Sequence, residues 1–471
     1  MAAPKSKPAV ECRADRLFAS ANVVNPVEAA LAVFFNNRLK LCDRVCVALS
    51  GGGDSVVLLH ALHRLLNSRR PASSSSNILL SAIHVHHGIS PNADAWADFC
   101  SSICRTLGVP LHIERVDVPR ASGEGLEGAA RRLRHAVFAA VDADWLALAH
   151  HQDDQAETVL LNLLRGAGIA GAAGMLAERP QSGGPHLVRP LLEVSRSAIE
   201  AYAAEHGLRW IEDESNRETH FRRNFLRHEV VPLMEAKFPG AKRSLARAAS
   251  HFAEGAELLD ELAAEDCAAV AMPSGRIGLA GFNALSPARA RNLLRFEWLA
   301  VGFRAPDTRW IEEARRQLAT VSGRSEICVS TADGALHAYR GELYVVGHVS
   351  DSDLSDLRWN GEYALPWAGG QVRFESVIGE GIARSHLLAG EVWLKRRCGG
   401  ERLQADARRP RRTLRNLLQE SAIPPWERAR LPLLWCGEQL VWVGRVGVDA
   451  SFVCPAGEPG ILPVWEAGNP D

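Results

Sequence analysis

The sequence predicts an α/β fold: a doubly wound parallel sheet, followed by a small helical domain and a C-terminal α+β domain. Through the first 165 residues, short apolar segments rich in β-branched residues alternate with longer segments that have helical spacing. Such alternation is typical of a parallel sheet whose helices cover both faces. After residue 232 the pattern changes, first to alanine-rich helical spacing and then to short alternating segments. The sheet domain is therefore expected to end near that point.

The predicted sheet consists of strands that are each followed by a helix. The strands are expected over residues 44–49, 78–85, 111–116 and 145–149, and the helices over 56–66, 93–107, 124–142 and 153–164. Ligands of such sheets bind beyond the carboxyl ends of the strands. We therefore expect a binding site formed by the residues that follow positions 49 and 149.

The remainder of the chain is predicted to hold two further regions. Helices are expected over 241–271, 288–300 and 308–319, and strands over 327–330, 335–339 and 342–346. The resulting domain boundaries are an N-terminal extension (1–40), the sheet domain (41–232), a helical domain with short strands (233–348), a linker region with a few strands (349–390) and a basic C-terminal domain (391–471).

Composition excludes several classes of protein. With 47% hydrophobic and 23% charged residues, the 471-residue chain is not largely disordered, and no apolar run approaches the ~20 residues of a membrane-spanning helix. The N-terminal cations precede no apolar stretch, so we expect no secretory signal. Ten cysteines are too sparse for a disulfide scaffold, which favours the reducing cytoplasm. The net charge of −1 leaves a nucleic-acid partner open, because a basic face can be hidden in a neutral total.

A glycine-rich segment after the first strand is the most specific local signal. It consists of Ser50, Gly51, Gly52, Gly53, Asp54 and Ser55. Glycines let the backbone approach an anion closely, and the amide groups at a helix start point toward it. Asp54 would repel a phosphate, so we interpret it as a ligand of Mg²⁺ that bridges phosphates. An ordinary glycine turn that caps a helix is the alternative, and the loop lacks the Gly-Lys-Ser/Thr of a P-loop kinase.

Acidic residues follow the fourth strand. In the run from position 151 to 158, Asp154 and Glu157 share one face of the predicted helix, and Asp153 precedes them. One acid at a helix start would be explained by the helix dipole. Two acids on one face favour a site for a cationic ligand or a metal. His84, at the end of the second strand with two neighbouring histidines, is either a substrate contact or a solvated strand end.

The cysteines leave an alternative chemistry open. Cys42/Cys46 and Cys100/Cys104 are pairs four residues apart, but neither pair is a Cys-x-x-Cys motif. Isolated cysteines are commonly small buried hydrophobic residues, and we favour that interpretation over sulfur transfer.

Taken together, these motifs and several downstream segments resemble the tRNA(Ile)-lysidine synthetase family within the N-type ATP pyrophosphatase (PP-loop) superfamily. The segments that carry the resemblance are 45–55, 83–90, 127–134, 151–158, 165–166, 189–192, 210–216, 223–227, 424–428, 431–433 and the strand around Trp442. One departure is His135, where the family usually has Tyr.

The resemblance implies a reaction and its participants. ATP activates C2 of the wobble cytidine in the CAU anticodon of isoleucine tRNA, and L-lysine then displaces AMP, which makes the chain a ligase. The glycine loop and His84 would bind ATP, with Mg²⁺ on Asp54. Asp54, Asp154 and Glu157 would be catalytic, and the substrate residues would be Asp153, Asp154, Glu157, Arg131, Arg165, Arg223, Arg411 and Arg412. The last two lie in a C-terminal arginine cluster that would bind tRNA, as would the helical domain.

Two other functions remain open at this point. One is another PP-loop enzyme that modifies tRNA, such as a cytidine thiolase, which would depend on a cysteine. The other is a non-catalytic RNA-binding protein that kept the fold. We expect no membrane partner, and either a monomer or a homodimer.

Overall fold

A computed structural model describes residues 25–36, 38–40, 42–68, 78–119, 125–181, 183–212, 221–320, 327–348 and 354–466. It divides into two compact units, residues 1–257 and 258–471. Most of the predicted N-terminal extension and the motif residues 213–216 lie outside the described residues. No helix within the described ranges has the length and apolar composition needed to cross a membrane.

The first unit alternates strands and helices. Its strands are β1 (Arg44–Ala48), β2 (Leu79–His86), β3 (Leu111–Arg115), β4 (Trp145–Ala147), β5 (Glu178–Arg179) and β6 (His186–Val188). Its helices are α1 (Pro26–Asn36), α2 (Gly53–Ser68), α3 (Ala93–Leu107), α4 (Gly125–Ala139), α5 (Gln152–Leu164), α6 (Ile169–Ala172), α7 (Arg196–Glu205), α8 (Arg222–Phe225) and α9 (Val231–Lys237). A π-helical turn, Leu226–Val230, joins α8 to α9, and the long helix α10 (Ala241–Val270) follows.

The sheet of the first unit has the strand order β3-β2-β1-β4-β6-β5. The pairs β1–β2, β1–β4, β2–β3 and β4–β6 are parallel, whereas β5 is antiparallel to β6. This confirms the predicted doubly wound sheet. Strand order reverses between β1 and β4, and a crevice for ligands opens at such a switch point. The glycine loop follows β1 and the acidic helix α5 follows β4, so both reach this edge.

Helix α1 belongs to the core of the first unit. Val27, Leu31 and Phe35, spaced four residues apart on one face, are fully buried and pack in the same cluster as α2 and α7. The prediction of an extension that ends at residue 40 was therefore wrong for residues 26–36, because burial of this apolar stripe makes the helix part of the sheet domain.

The second unit contains helices, a small antiparallel sheet and a larger C-terminal part. The helices α11 (Leu279–Ala284), α12 (Pro287–Ala300) and α13 (Thr308–Thr320) precede strands β7 (Ile327–Ser330), β8 (Gly334–Tyr339) and β9 (Glu342–Gly347). Their apolar residues form one cluster around the fully buried Trp298 and Leu293. These elements agree with the predicted helices and strands in this part of the sequence.

The C-terminal part is built from antiparallel strands with short helices. Its strands are β10 (Leu357–Trp359), β11 (Ala364–Trp367), β12 (Gly370–Ile378), β13 (Ile382–Ala383), β14 (Val392–Lys395), β15 (Arg402–Leu403), β16 (Arg412–Thr413), β17 (Leu433–Cys436), β18 (Gln439–Val443), β19 (Gly447–Val448) and β20 (Pro459–Glu466). Its helices are α14 (Arg384–Leu387), α15 (Leu414–Glu420) and α16 (Pro425–Arg428).

The segment 349–390 is not a linker where the structure describes it. Strand β12 pairs with β20 along its whole length, from Gln371 opposite Glu466 to Ile378 opposite Pro459, and β10 pairs with β14. Trp367 and Phe374 are buried in the same cluster as Leu434 and Trp442. These strands therefore pack with the C-terminal domain and complete its sheets, and the boundary at residue 391 stays a prediction.

Candidate functional site

The glycine loop is held in shape by its two serines. The Ser50 amide donates to Ser55 Oγ at 3.2 Å, Ser55 Oγ donates to the Gly52 carbonyl at 2.9 Å, and the two hydroxyl oxygens lie 3.1 Å apart. Ser55 is buried at the start of α2. The loop therefore wraps the amino end of a sixteen-residue helix, where backbone amides and the helix dipole favour an anion.

One of the glycines is required by its surroundings, and a second is closely packed. Gly51 has a φ of +90°, and a Cβ there would lie 3.3 Å from Cys100 Sγ and 3.4 Å from a methyl group of Ile211. A Cβ on Gly53 would lie 3.4 Å from the indole of Trp210. The Ile211 amide also donates to the Gly51 carbonyl at 3.0 Å. The segment that carries Trp210 and Ile211 thus packs directly on the loop, a contact that the sequence pattern did not reveal.

His84 is a buried residue at the end of β2. Its Nδ1 donates to the Leu49 carbonyl at 2.8 Å, which fixes the ring beside the start of the glycine loop and leaves Nε2 as an acceptor. Burial lowers the pKa of His84 despite that hydrogen bond, so the ring is neutral near pH 7. This placement excludes the interpretation of His84 as a solvated strand end.

His151 connects the glycine loop to the acidic helix. It is the N-cap of α5: its Nδ1 accepts from the Asp154 amide at 3.4 Å, and its own amide donates to Asp154 Oδ2 at 3.2 Å. Its Nε2 lies 3.6 Å from Asp54 Oδ2 and 3.4 Å from Asp154 Oδ2. Burial lowers the pKa of His151, but the hydrogen bond with Asp54 and the charge of Asp154 outweigh burial, and the pKa is raised overall. His151 thus lies between the two acids and links the glycine loop to α5.

Asp154 and Glu157 are both buried and both paired with arginines. Arg223 donates from Nε to Glu157 at 2.9 Å and from Nη2 to Asp154 at 3.0 Å. Arg227 donates from Nε to Glu157 at 2.6 Å, and from Nη2 to Glu157 at 2.9 Å and Asp154 at 3.0 Å. The predicted sharing of one helix face is confirmed, since both acids meet the same two guanidinium groups. We call these four residues the acid–arginine cluster.

Arg227 is a residue to which the sequence analysis gave no role. It lies on the π-helical turn, four residues after Arg223, and that spacing alone places two arginines on one helix face. Burial lowers its pKa, but the hydrogen bond with Glu157 and the charges of Asp154 and Asp54 raise it overall. The glycine loop and the cluster are also linked by His151, which lies within 3.6 Å of both Asp54 and Asp154.

Asp153 has different neighbours from the adjacent Asp154. Its carboxylate pairs with Lys242 on α10 and accepts from the Arg196 amide at the start of α7. Burial raises the pKa of Asp153, whereas Lys242 and the backbone hydrogen bond lower it more strongly. Asp153 therefore ties α5 to two other helices, and the structure does not bring it into the acid–arginine cluster.

The remaining arginines predicted to bind substrate lie elsewhere. Arg131 is exposed on α4, where its charge acts on His135 and Arg189. Arg165 lines a groove of about 490 Å³ between the end of α5 and the π-helical turn, together with Arg222 and Phe225. The apolar floor and two arginines of this groove suit a nucleobase and its phosphate.

Two arginines of the C-terminal cluster are engaged by acids. Arg411 Nη2 donates at 2.9 Å to Asp449, whose side chain is fully buried. Arg412 Nη1 donates at 2.6 Å to Glu420. Their neighbour Arg408 is exposed, and the described residues offer its side chain no ion pair. Both guanidinium groups have carboxylate partners but remain partly exposed, and the assignment of Arg411 and Arg412 to tRNA stays a prediction.

The cysteine pairs are poorly suited to thiol chemistry. Cys46, Cys100 and Cys104 are buried, and burial raises the pKa of Cys100 to about 12 and those of the other two to about 11. The thiolate is the reactive form of cysteine, so these side chains act as small apolar residues. Cys42 is exposed and therefore does not pair with the buried Cys46.

The fold and the loop define the class of protein. A family model described as the PP-loop domain matches residues 24–234. Models described as the TilS substrate binding domain and the TilS substrate C-terminal domain match residues 278–344 and 392–465. The chain is thus a PP-loop protein with two further domains of substrate-binding type.

Curated relatives narrow the class to one family. A tRNA(Ile)-lysidine synthase of Azoarcus sp. is 44% identical over 90% of this chain and 92% of the relative. Those of Aromatoleum aromaticum and Nitrosomonas europaea are 47% and 40% identical, over 90% and 95% of this chain and 97% of each relative. The chain belongs to the tRNA(Ile)-lysidine synthase family. Among solved structures, the U34-tRNA thiolase NcsA from Methanococcus maripaludis is 19% identical, with a TM-score of 0.41 over 48% of this chain and 78% of that one.

Proposed function

We propose that this chain uses ATP to join L-lysine to C2 of the wobble cytidine of isoleucine tRNA. The cytidine O2 would attack the α-phosphorus of ATP and release pyrophosphate. The ε-amine of lysine, having lost a proton from its ammonium form, would then attack C2 and release AMP. The observation that carries the proposal is the agreement between family and site. The similarity to lysidine synthases covers at least 90% of the chain, and a glycine loop suited to anions meets a buried pair of acids at one edge of the sheet.

The nucleotide half of the site is assigned to the glycine loop. Its backbone amides and the amino end of α2 would hold the phosphates, and His84 supports the loop through Leu49. Asp54 has a half-exposed carboxylate, and among the described residues no group of three metal-binding side chains occurs. A single carboxylate completed by phosphate oxygens and water is an arrangement that suits Mg²⁺. When bound, Mg²⁺ would neutralise charge on the leaving pyrophosphate.

The amino-acid half is assigned to Asp154 and Glu157. Burial raises the pKa of Asp154, but His151 and the arginines lower it more strongly, so Asp154 is ionised near pH 7. A lysine ammonium with an ordinary pKa of ~10.4 must be both bound and deprotonated before it can attack. Two buried carboxylates beside the phosphate loop would bind the ammonium and accept its proton.

The RNA surface is assigned to groups that remain free to contact phosphate. The groove that holds Arg165, Arg222 and Phe225 would take a nucleotide next to the wobble base, with the base on the phenyl ring. In the C-terminal domain, exposed arginines such as Arg396 and Arg408 would contact the tRNA backbone. Arg411 and Arg412 would instead shape this surface through their acidic partners.

Sulfur insertion is not favoured as an alternative. The cysteines on β1 and α3 are buried and have raised pKa values, and the curated relatives are lysidine synthases.

The proposal is tested by incubating the full chain with unmodified isoleucine tRNA, ATP, Mg²⁺ and labelled lysine. We expect label on the tRNA and release of AMP and pyrophosphate. Asp154→Asn is expected to abolish label transfer but to leave ATP binding largely intact. Glu200→Gln is the matched control, because Glu200 is an exposed acid paired with Arg196 on α7. Absence of label with the unaltered chain, or normal transfer by Asp154→Asn, would refute the assignment.

A further inference from the structure

The acid–arginine cluster is densely hydrogen-bonded. Glu157 Oε1 accepts from Arg227, and Glu157 Oε2 accepts from both arginines. Asp154 Oδ1 also accepts from both arginines, and Asp154 Oδ2 accepts from the His151 amide. Every carboxylate oxygen of the predicted ammonium site thus has at least one donor, and two acids face two guanidinium groups.

A third cation cannot simply be added to this cluster. Asp154 and Glu157 are buried, and like charges repel strongly where water is scarce. The ammonium of lysine would also find each oxygen already hydrogen-bonded. Two guanidinium groups already neutralise the two acids, so lysine is expected to bind them well when one guanidinium group leaves and one cation replaces another.

The two arginines differ in how firmly they are held. Arg227 makes three of the hydrogen bonds to the acid pair and its side chain is 23% exposed, whereas Arg223 makes two and is 34% exposed. Arg223 is the guanidinium group that solvent and ligands reach more easily. Its departure would leave two acids and one arginine, which is the charge balance that a single ammonium completes.

An anion at the glycine loop would draw Arg223 away. His151 lies between Asp54 and Asp154, within 3.6 Å of both, so the loop and the acid pair are neighbours. A phosphate group attracts guanidinium in a bidentate fashion and competes with a carboxylate for it. We propose that Arg223 is a displaceable occupant of the lysine site, which moves from Asp154 and Glu157 to a phosphate group when the nucleotide or the tRNA binds.

This inference rests on the proposed function and implies that lysine binds preferentially after a phosphate ligand. Before phosphate arrives, Arg223 fills the ammonium site and lysine binds weakly. After phosphate arrives, only Arg227 remains on the two acids and lysine binds tightly. Phosphate ligand and lysine therefore bind with positive coupling, and each strengthens the affinity of the other by the same factor.

The coupling is measurable as lysine affinity in the full chain. Lysine binding is measured by calorimetry under three conditions. The first has no phosphate ligand, the second has α,β-methylene-ATP and Mg²⁺, and the third has tRNA but no nucleotide. We expect the phosphate ligand to raise lysine affinity by a factor of about 5 to 150. If only the nucleotide raises it, the triphosphate displaces Arg223, and if only the tRNA raises it, an RNA phosphate does.

The matched variants are Arg223→Met and Arg64→Met. The first removes the displaceable charge and keeps a long side chain, so lysine should bind at least about fivefold more tightly without phosphate ligand, and the coupling factor should approach 1. The second removes an exposed arginine of the same unit, paired with Glu28, and should leave lysine affinity and coupling unchanged.

Two results separate failure of this inference from failure of the proposed function. Equal lysine affinity with and without phosphate ligands, or weaker lysine binding by Arg223→Met, overturns the displacement of Arg223 even if label is still transferred to tRNA. No lysine binding by the unaltered chain under any condition, together with no label transfer, overturns the proposed function and this inference with it.

Discussion

Truncation of Arg411 should destabilise the C-terminal domain. Asp449, its partner, is fully buried, and removing one member of a buried ion pair commonly costs about 3–5 kcal/mol because a charge is left without compensation. Three donors would remain on Asp449, namely the Gln404 amide and the Ser451 amide and hydroxyl. Because the Arg411 side chain is itself 42% exposed, the pair is only partly buried, and we expect Arg411→Ala to cost about 2 kcal/mol, below that range. For a unit of this size, the loss corresponds to a fall in Tm of roughly 4–8 °C.

The assay compares Arg411→Ala with Arg408→Ala. Thermal unfolding followed by circular dichroism should show the loss of stability only in the first variant, because Arg408 is exposed. Titration of tRNA at several salt concentrations should show an effect only in Arg408→Ala. In that variant, the negative slope of log K against log salt should become shallower by about 1, as expected for one lost phosphate contact. If Arg411→Ala unfolds like the unaltered chain but lowers the salt slope, Arg411 contacts RNA and the structural role is refuted.

Three other predictions concern the first unit. Gly51→Ala should weaken binding of an ATP analogue roughly tenfold or more in a fluorescence titration, because a residue with a Cβ would be strained at φ +90° and crowded by Cys100. Gly108→Ala is the control and should leave that binding unchanged, because Gly108 has φ +65° but open space around it. Burial lowers the pKa of His60 to about 4, so the free energy of unfolding should decrease as the pH falls from 6.5 toward 4. In urea unfolding, the free energy of unfolding of His60→Gln should depend less on pH over that interval. The same pH dependence in the variant and the unaltered chain would exclude His60 as the cause of this decrease. Cys42→Ser should transfer labelled lysine to tRNA at the normal rate, and loss of transfer would favour thiol chemistry.

The elements that a local pattern can encode were predicted from the sequence. Strands β1 to β4 and the helices between them follow from apolar periodicity, and the glycine loop follows from its composition. Strands β5 and β6, of two and three residues, are too short to show a period. The position of β6 depends on its pairing with β4, and that of β5 on its pairing with β6; no short window contains the first of these contacts.

The partners of charged groups were not predictable in the same way. The spacing of Asp154 and Glu157 indicates a shared helix face, but nothing local indicates that Arg223 and Arg227, some 70 positions later, neutralise them. Arg411 looked like part of a solvent-exposed basic cluster because its partner Asp449 lies 38 positions later in the sequence. Both cases depend on tertiary packing, which determines whether a charge faces water, a ligand or another side chain.

The pairing of β12 with β20 has a consequence during synthesis. The inner strand at residues 370–378 must wait for residues 459–466 before its edge is covered, and β13 pairs with the same late strand. Contacts of such long sequence separation form slowly, and an uncovered strand edge invites association with other chains. In a nascent chain stalled before residue 459, the C-terminal domain would be a half-made sheet, and such a chain is expected to aggregate through this edge.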